Sequence, residues 1–291
     1  MTQIEGVIPA ANAPRFARFF AGYSRRMLRR SFASVRLTIG SREALDAIET
    51  SDRPAIVALN HASWWDPLVG LVLAREYAPT RTLASPIDAA QLRKFKFLRK
   101  VGLFGIDPTD RGSLRSLVDH ACSLFESDPR TLLGLTPQGA FTDVRSPVRV
   151  RPGIGAIASR LSSAGAPPLV TSIACEYCFW FDKKPDLLLH ARPVAPPDGD
   201  STASWTRAIA SAMDRDRLFL AERSIARDED AFEPLFPKAG SGVHPVYDLL
   251  LRLAGKRPEI RPNAPPPHDQ PCSHRDKPAS GQGVRIESST V

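Results

Sequence analysis

The feature that most constrains this chain is an alternation. Short apolar runs rich in β-formers take turns with longer stretches whose apolar residues recur at helical spacing. Residues 54–59 (Pro-Ala-Ile-Val-Ala-Leu) read as a buried strand. Asp66-Pro67 then opens a helix over 68–76, with Asp66 as N-cap and proline at the first helical position. Further strands are predicted at 81–85, 103–106, 131–135, 169–178 and 187–194, and helices at 113–126, 153–163, 201–226 and 246–254. Strands alternating with helices predict an α/β fold with a largely parallel central sheet flanked by helices.

Outside that alternation the composition shifts. The 36 residues 256–291 hold seven of the 27 prolines and no aromatic residue, so they read as a disordered tail. The expected organisation is a basic N-terminal helical segment at 1–36, an α/β domain at 37–255 and the tail at 256–291. The most apolar run, 166–181, is interrupted by Glu176 and is too short to span a bilayer. There is no secretory pattern at the N-terminus, and four cysteines do not make a disulfide framework, so a cytoplasmic setting is expected.

The net charge of +8 is unevenly placed. Up to residue 36 there are seven arginines (Arg15, Arg18, Arg25, Arg26, Arg29, Arg30 and Arg36) against one acid, Glu5. On a helix over 15–30, Phe16, Phe19, Phe20, Tyr23 and Met27 share one face and most arginines fall on the other. Such a helix lies in an anionic membrane interface or packs on the rest of the protein; the pattern leaves both open. A second basic cluster, Arg93, Lys94, Lys96, Arg99 and Lys100, alternates with Phe95 and Phe97 and suits a membrane surface or an acyl donor. Basic residues among aromatics also bind nucleic acid. No zinc-finger spacing or RNA-recognition aromatic pattern accompanies them, so no nucleic-acid partner is expected.

The chemistry is expected where the first strong strand ends, in Asn60-His61-Ala62-Ser63-Trp64-Trp65-Asp66-Pro67. Of six histidines, only His61 is followed five residues later by an acid. A carboxylate at the next helix start can accept one ring N–H, fix the tautomer and leave the other nitrogen as a base. Cys175 and Cys178 would face opposite sides of a strand and read as two buried thiols; no metal site is expected.

The motif Asn60-His61-x4-Asp66 resembles the first motif of the glycerophospholipid acyltransferases, a superfamily that includes the bacterial 1-acyl-glycerol-3-phosphate acyltransferases. Other blocks follow in order. Gly102 to Asp107, with Arg111 behind it, resembles the second motif; Thr136-Pro137-Gln138-Gly139 resembles the third, normally Pro-Glu-Gly. Arg151-Pro152-Gly153 and the proline-bearing strand from Pro167 resemble the segments after it. The likeness covers about residues 40 to 195.

The resemblance implies transfer of a fatty acyl chain from an acyl-CoA or acyl-carrier-protein thioester to a hydroxyl of a lysophospholipid or related polar lipid. No cofactor would be bound. His61 and Asp66 would be catalytic; Asn60, Ser63, Asp107, Arg111, Pro137, Gln138, Gly139 and Arg145 would line the substrate site. Backbone N–H groups around Gly139 are candidate oxyanion donors, and an acyl-serine route through Ser63 is the rival mechanism. The expected setting is the inner face of the membrane, with the protein peripherally bound to its anionic surface. Three positions depart from the family pattern. Pro108 and Phe141 stand where arginines associated with the acceptor's phosphate are usual, and Gln138 replaces a glutamate. Arg145, Arg149 and Arg151 are possible compensations, and the altered motifs raise a second reading, a non-catalytic lipid- or partner-binding relative.

Overall fold

The computed structural model describes residues 4–110 and 112–236. Arg111, the expected helix at 246–254 and the expected tail lie outside them. Among the described residues, nine strands form one sheet: β1 (Val7–Ile8), β2 (Ser34–Thr38), β3 (Ala55–Leu59), β4 (Thr82–Asp88), β5 (Leu103–Ile106), β6 (Thr131–Leu135), β7 (Leu169–Cys178), β8 (Asp186–Pro193) and β9 (Phe232–Pro234). The strand order is β1-β5-β4-β6-β3-β7-β8-β2-β9. The run β5-β4-β6-β3-β7 is parallel throughout, and β2 pairs parallel with β8. Antiparallel pairs occur only toward the edges: β1 on β5, β8 on β7, and β9 on β2. The largely parallel sheet expected from the alternation is therefore present.

Among the described residues, seven α-helices accompany the sheet: α1 (Pro14–Ser31), α2 (Ser41–Thr50), α3 (Asp66–Tyr77), α4 (Ala89–Lys94), α5 (Ser113–Ser127), α6 (Pro152–Ser163) and α7 (Thr202–Ala226). Strand β3 shows why helices cover both faces. Its side chains alternate, with Ile56 and Ala58 packed against α5, α6 and α7, and Ala55 and Leu59 packed against α1, α2 and α3. Close approach of α6 to α7 needs Gly155, where an added Cβ would fall 2.1 Å from Thr206 Oγ1.

Three strands and two α-helices escaped the sequence pattern: β1, β2, β9, α2 and α4. Strand β2 mixes Val35 and Leu37 with Ser34 and Arg36, and so reads as a continuation of the basic segment. The boundary expected at residue 36 falls inside this strand, and β1 lies in the sheet as well. Helix α2 follows Gly40, whose φ of 87° lets the chain turn sharply out of β2.

The connection leaving β3 passes through α3 on one face to β4. The one leaving β6 passes through α6 on the other face to β7. Loops at the carboxyl ends of β3 and β6 thus diverge and open a crevice, the usual ligand position in open α/β sheets.

Candidate active site

His61 stands in that crevice, two residues past the last paired position of β3. Its ring Nδ1 lies 3.0 Å from Asp66 Oδ2, and its side chain keeps 17% of its surface exposed while that of Asp66 keeps none. With Nδ1–H donated to the carboxylate, the other ring nitrogen is the unprotonated one, available as a base. Asp66 opens α3 rather than preceding it, so it is the first helical residue and not the N-cap expected from the sequence. Its carboxylate turns back onto the loop. Oδ2 also accepts the backbone N–H of Ala62 and of Ser63, both at 2.8 Å, and Oδ1 accepts the Tyr177 hydroxyl at 2.5 Å. These donors satisfy both oxygens of a side chain that has no exposed surface.

The turn after β6 holds His61 from the other side. Gln138 is buried; its Oε1 accepts the His61 backbone N–H at 2.7 Å, and its Nε2 donates to Thr142 Oγ1. Thr142 N–H in turn donates to the His61 carbonyl at 2.8 Å. Gln138 therefore braces the histidine rather than facing a substrate. A glutamate here could accept from the same N–H, so the amide keeps the brace while removing a charge beside His61. Asn60 also builds the site instead of lining it. Its amide exchanges two hydrogen bonds with the Cys175 backbone, at 3.0 and 2.6 Å, and ties the end of β3 to β7. Ser63 Oγ accepts from Trp65 N–H at 3.3 Å, giving it a loop-building role.

Residues 36–175 match the family model described as Acyltransferase. These residues form an acyltransferase domain. No curated protein matches the sequence. Among solved structures, the 1-acyl-sn-glycerophosphate (LPA) acyltransferase PlsC from Thermotoga maritima is similar, at 18% identity over 71% of this chain and 80% of that one, with a TM-score of 0.46.

The remaining expected residues of the acyltransferase are distributed along the same edge of the sheet. Pro137 is buried beneath the turn, and Gly139 adopts a φ of 68° that favours glycine. An added Cβ at Gly139 would sit 2.7 Å from Arg151 Nε, so the Arg151 side chain lies directly on this turn. The Gly139 N–H donates to Thr136 O at 3.0 Å, which removes that amide from the candidate oxyanion donors. Asp107 is exposed at the end of β5, three strands from β3, roughly 14 Å at ordinary strand spacing. Its carboxylate accepts both the N–H and the hydroxyl of Thr109, which hold it below the usual carboxylate range. Arg145 is exposed and forms a two-pronged pair with Asp143 at 2.8 and 2.7 Å. The structure therefore joins His61, Asp66, Asn60, Ser63 and the Pro137–Gly139 turn into one assembly, and sets Asp107 and Arg145 outside its hydrogen-bond network. Cavities of about 230 Å³ beside β2 and about 250 Å³ between α1 and the amino ends of β4 and β5 are lined by none of them.

Two participants were missed. The Phe141 ring is 61% exposed and its centroid lies 4.2 Å from that of His61. It follows the Gln138-Gly139 turn directly, so its position was legible. Tyr177 lies 111 residues beyond the aspartate it contacts, and nothing in the sequence marks it.

The basic segments meet. Helix α1 packs on α3 through Ala21, Ser24 and Leu28 and not through its aromatic face. Phe16 meets Phe97 of the turn Lys96–Val101 edge-on at 6.4 Å and Phe20 meets it at a tilt at 5.6 Å, while Phe19, Tyr23, Phe95 and Phe97 remain exposed. Arg93, Lys94, Lys96 and Lys100 are exposed beside them, and Arg99 is half-buried with its Nε on Pro9 O. No helix among the described residues is long and apolar enough to cross a membrane.

Proposed function

We propose that this acyltransferase moves a fatty acyl chain from an acyl-CoA or acyl-carrier-protein thioester to a hydroxyl of a lysophospholipid or related polar lipid, with His61 as general base. The observation that carries this reading is the His61–Asp66 pair: a part-exposed imidazole whose Nδ1 is held at 3.0 Å by a fully buried carboxylate. The acceptor hydroxyl attacks the thioester carbonyl carbon as its proton passes to His61 Nε2. The C–O bond forms, the tetrahedral intermediate collapses, the C–S bond breaks, and the same proton goes to the departing thiolate. Asp66 stabilises the imidazolium between the two transfers. Base catalysis of this kind is worth about 10²–10⁴ in rate.

Gln138 favours catalysis over a purely binding role, because it makes both bonds of the brace and leaves the pair assembled despite the altered third motif. The exposed aromatic cluster of α1 and the Lys96–Val101 turn, rimmed by Arg15, Arg18, Lys94, Lys96 and Lys100, supports docking on an anionic membrane surface. The deciding experiment supplies labelled acyl donors, as CoA and as carrier-protein thioesters, with a panel of lysolipids, and identifies products by mass spectrometry. Turnover by the native protein and none by His61→Ala is expected. Undiminished turnover by a folded His61→Ala protein overturns the mechanism, and no product with any acceptor favours the binding reading.

A further inference from the structure

We propose that Tyr177 is a positioning residue of the catalytic pair, acting on His61 through the far oxygen of Asp66. The inference rests on His61 serving as the base.

The geometry divides the Asp66 carboxylate into two halves. Oδ2 faces the chemistry and takes three donors: His61 Nδ1 at 3.0 Å and the N–H groups of Ala62 and Ser63 at 2.8 Å. Oδ1 points away from the histidine and takes the Tyr177 hydroxyl at 2.5 Å, the length of a strong hydrogen bond to an ionised oxygen. The two backbone donors come from the loop that carries His61 and move with it. Tyr177 comes from a different strand and references the carboxylate to the sheet.

That strand is well fixed. In the register of β3 and β7, Leu59 stands opposite Ile173, and two-residue periodicity places Cys175 and Tyr177 on the same face further along β7. The Asn60 amide clamps the Cys175 backbone two residues before the tyrosine. The Tyr177 ring packs on Phe32, at 5.8 Å between centroids. Its hydroxyl proton goes to Asp66 Oδ1.

The groups facing this network leave little other charge. From β7 come Cys175 and Tyr177, from the loop Ser63, and from the turn after β6 the neutral Gln138 and Phe141. Burial keeps the Cys175 thiol neutral. Burial, with Cys175 and Asp66 nearby, pushes the Tyr177 hydroxyl far above its ordinary range, so it stays protonated and donates at every working pH. A donor on Oδ1 draws negative charge away from Oδ2. That moderates the pull of the carboxylate on the imidazolium and fixes the rotation of its plane.

Removing the donor should act in a defined direction. In Tyr177→Phe the charge concentrates on Oδ2, the imidazolium is held more tightly, and His61 releases its proton at higher pH. The His61 ring titration, followed by NMR, is expected to move up by about half a pH unit to one unit, and the acidic limb of kcat/KM with it. kcat should fall by roughly 10-fold, with KM nearly unchanged. 3-Fluorotyrosine at 177 keeps ring and hydroxyl but is a stronger donor, so it should move the titration down, and it serves if the phenylalanine variant fails to fold. Phe32→Leu loses packing but keeps the hydroxyl, and should lower Tm without moving the titration. An unmoved His61 titration in both Tyr177 variants overturns the proposal. Because that readout needs no turnover, such a result is distinct from failure of the acyl-transfer reading, which shows as turnover surviving His61→Ala.

Discussion

Replacing Asp66 by Asn tests the proposed role of the His61–Asp66 pair most directly. The side chain is fully buried and its shape is conserved in the variant. An amide oxygen placed at Oδ2 still accepts from His61, Ala62 and Ser63, while the amide nitrogen faces the Tyr177 oxygen; the fold should survive. What is lost is charge. Two unit charges 3.0 Å apart attract by about 5.5 kcal/mol at an effective dielectric of ~20. If about half a proton has reached His61 in the transition state, roughly half of that, about 2.8 kcal/mol, is withdrawn, corresponding to about 10² in rate. The assay is kcat/KM for acyl transfer with the best acceptor, alongside thermal unfolding. A folded Asp66→Asn protein within fivefold of native activity would refute the role given to the carboxylate.

Four further outcomes follow from described contacts. Asn60→Ala leaves the Cys175 N–H and C=O without their partner, and chemical denaturation should show a loss of about 2–4 kcal/mol. Gln138→Glu places a carboxylate on the His61 backbone N–H; added negative charge favours the imidazolium, so the acidic limb of the rate profile should move up by as much as about one pH unit. His190 is buried, and desolvation with Arg192 and Arg215 nearby lowers its pKa to about 4. Its folded value lies below the unfolded one, so stability is intact above pH ~6.5 and should decline by as much as about 3 kcal/mol as pH falls to ~4; His190→Gln should flatten that decline in urea titrations. Phe19→Glu with Tyr23→Glu should weaken sedimentation with anionic vesicles by at least about 10-fold, since burying one such ring is worth about 1.5–3 kcal/mol; unchanged binding would remove α1 from the membrane reading.

The parts legible in the sequence were those encoded by local period. Strands β3, β5, β6 and β7 and helices α5, α6 and α7 are continuous or periodic apolar patterns, and they lie within one or two residues of their expected ends. The His61–Asp66 pair was legible because only four residues of loop separate the partners. Asn60 and Gln138 were singled out but given the wrong task. Their partners are backbone groups 115 and 77 residues away, and no spacing rule reveals such contacts. Tyr177 is invisible for the same reason. Strand β2 was hidden because Ser34 and Arg36 serve Asp186 across the sheet, and their polarity breaks the apolar run.

Phe32 has two neighbourhoods at once. It closes α1, where its N–H caps the helix on Leu28 O, and its ring rests against both Trp65 and Tyr177. The residue that ends the basic, aromatic helix is thus also a wall of the pocket holding the Asp66 carboxylate. A chain shortened to begin at β2 would lose Phe32 along with the surface aromatics of α1. It would carry a hole behind Tyr177, and weak activity in such a fragment would report on a damaged reaction centre as much as on lost attachment.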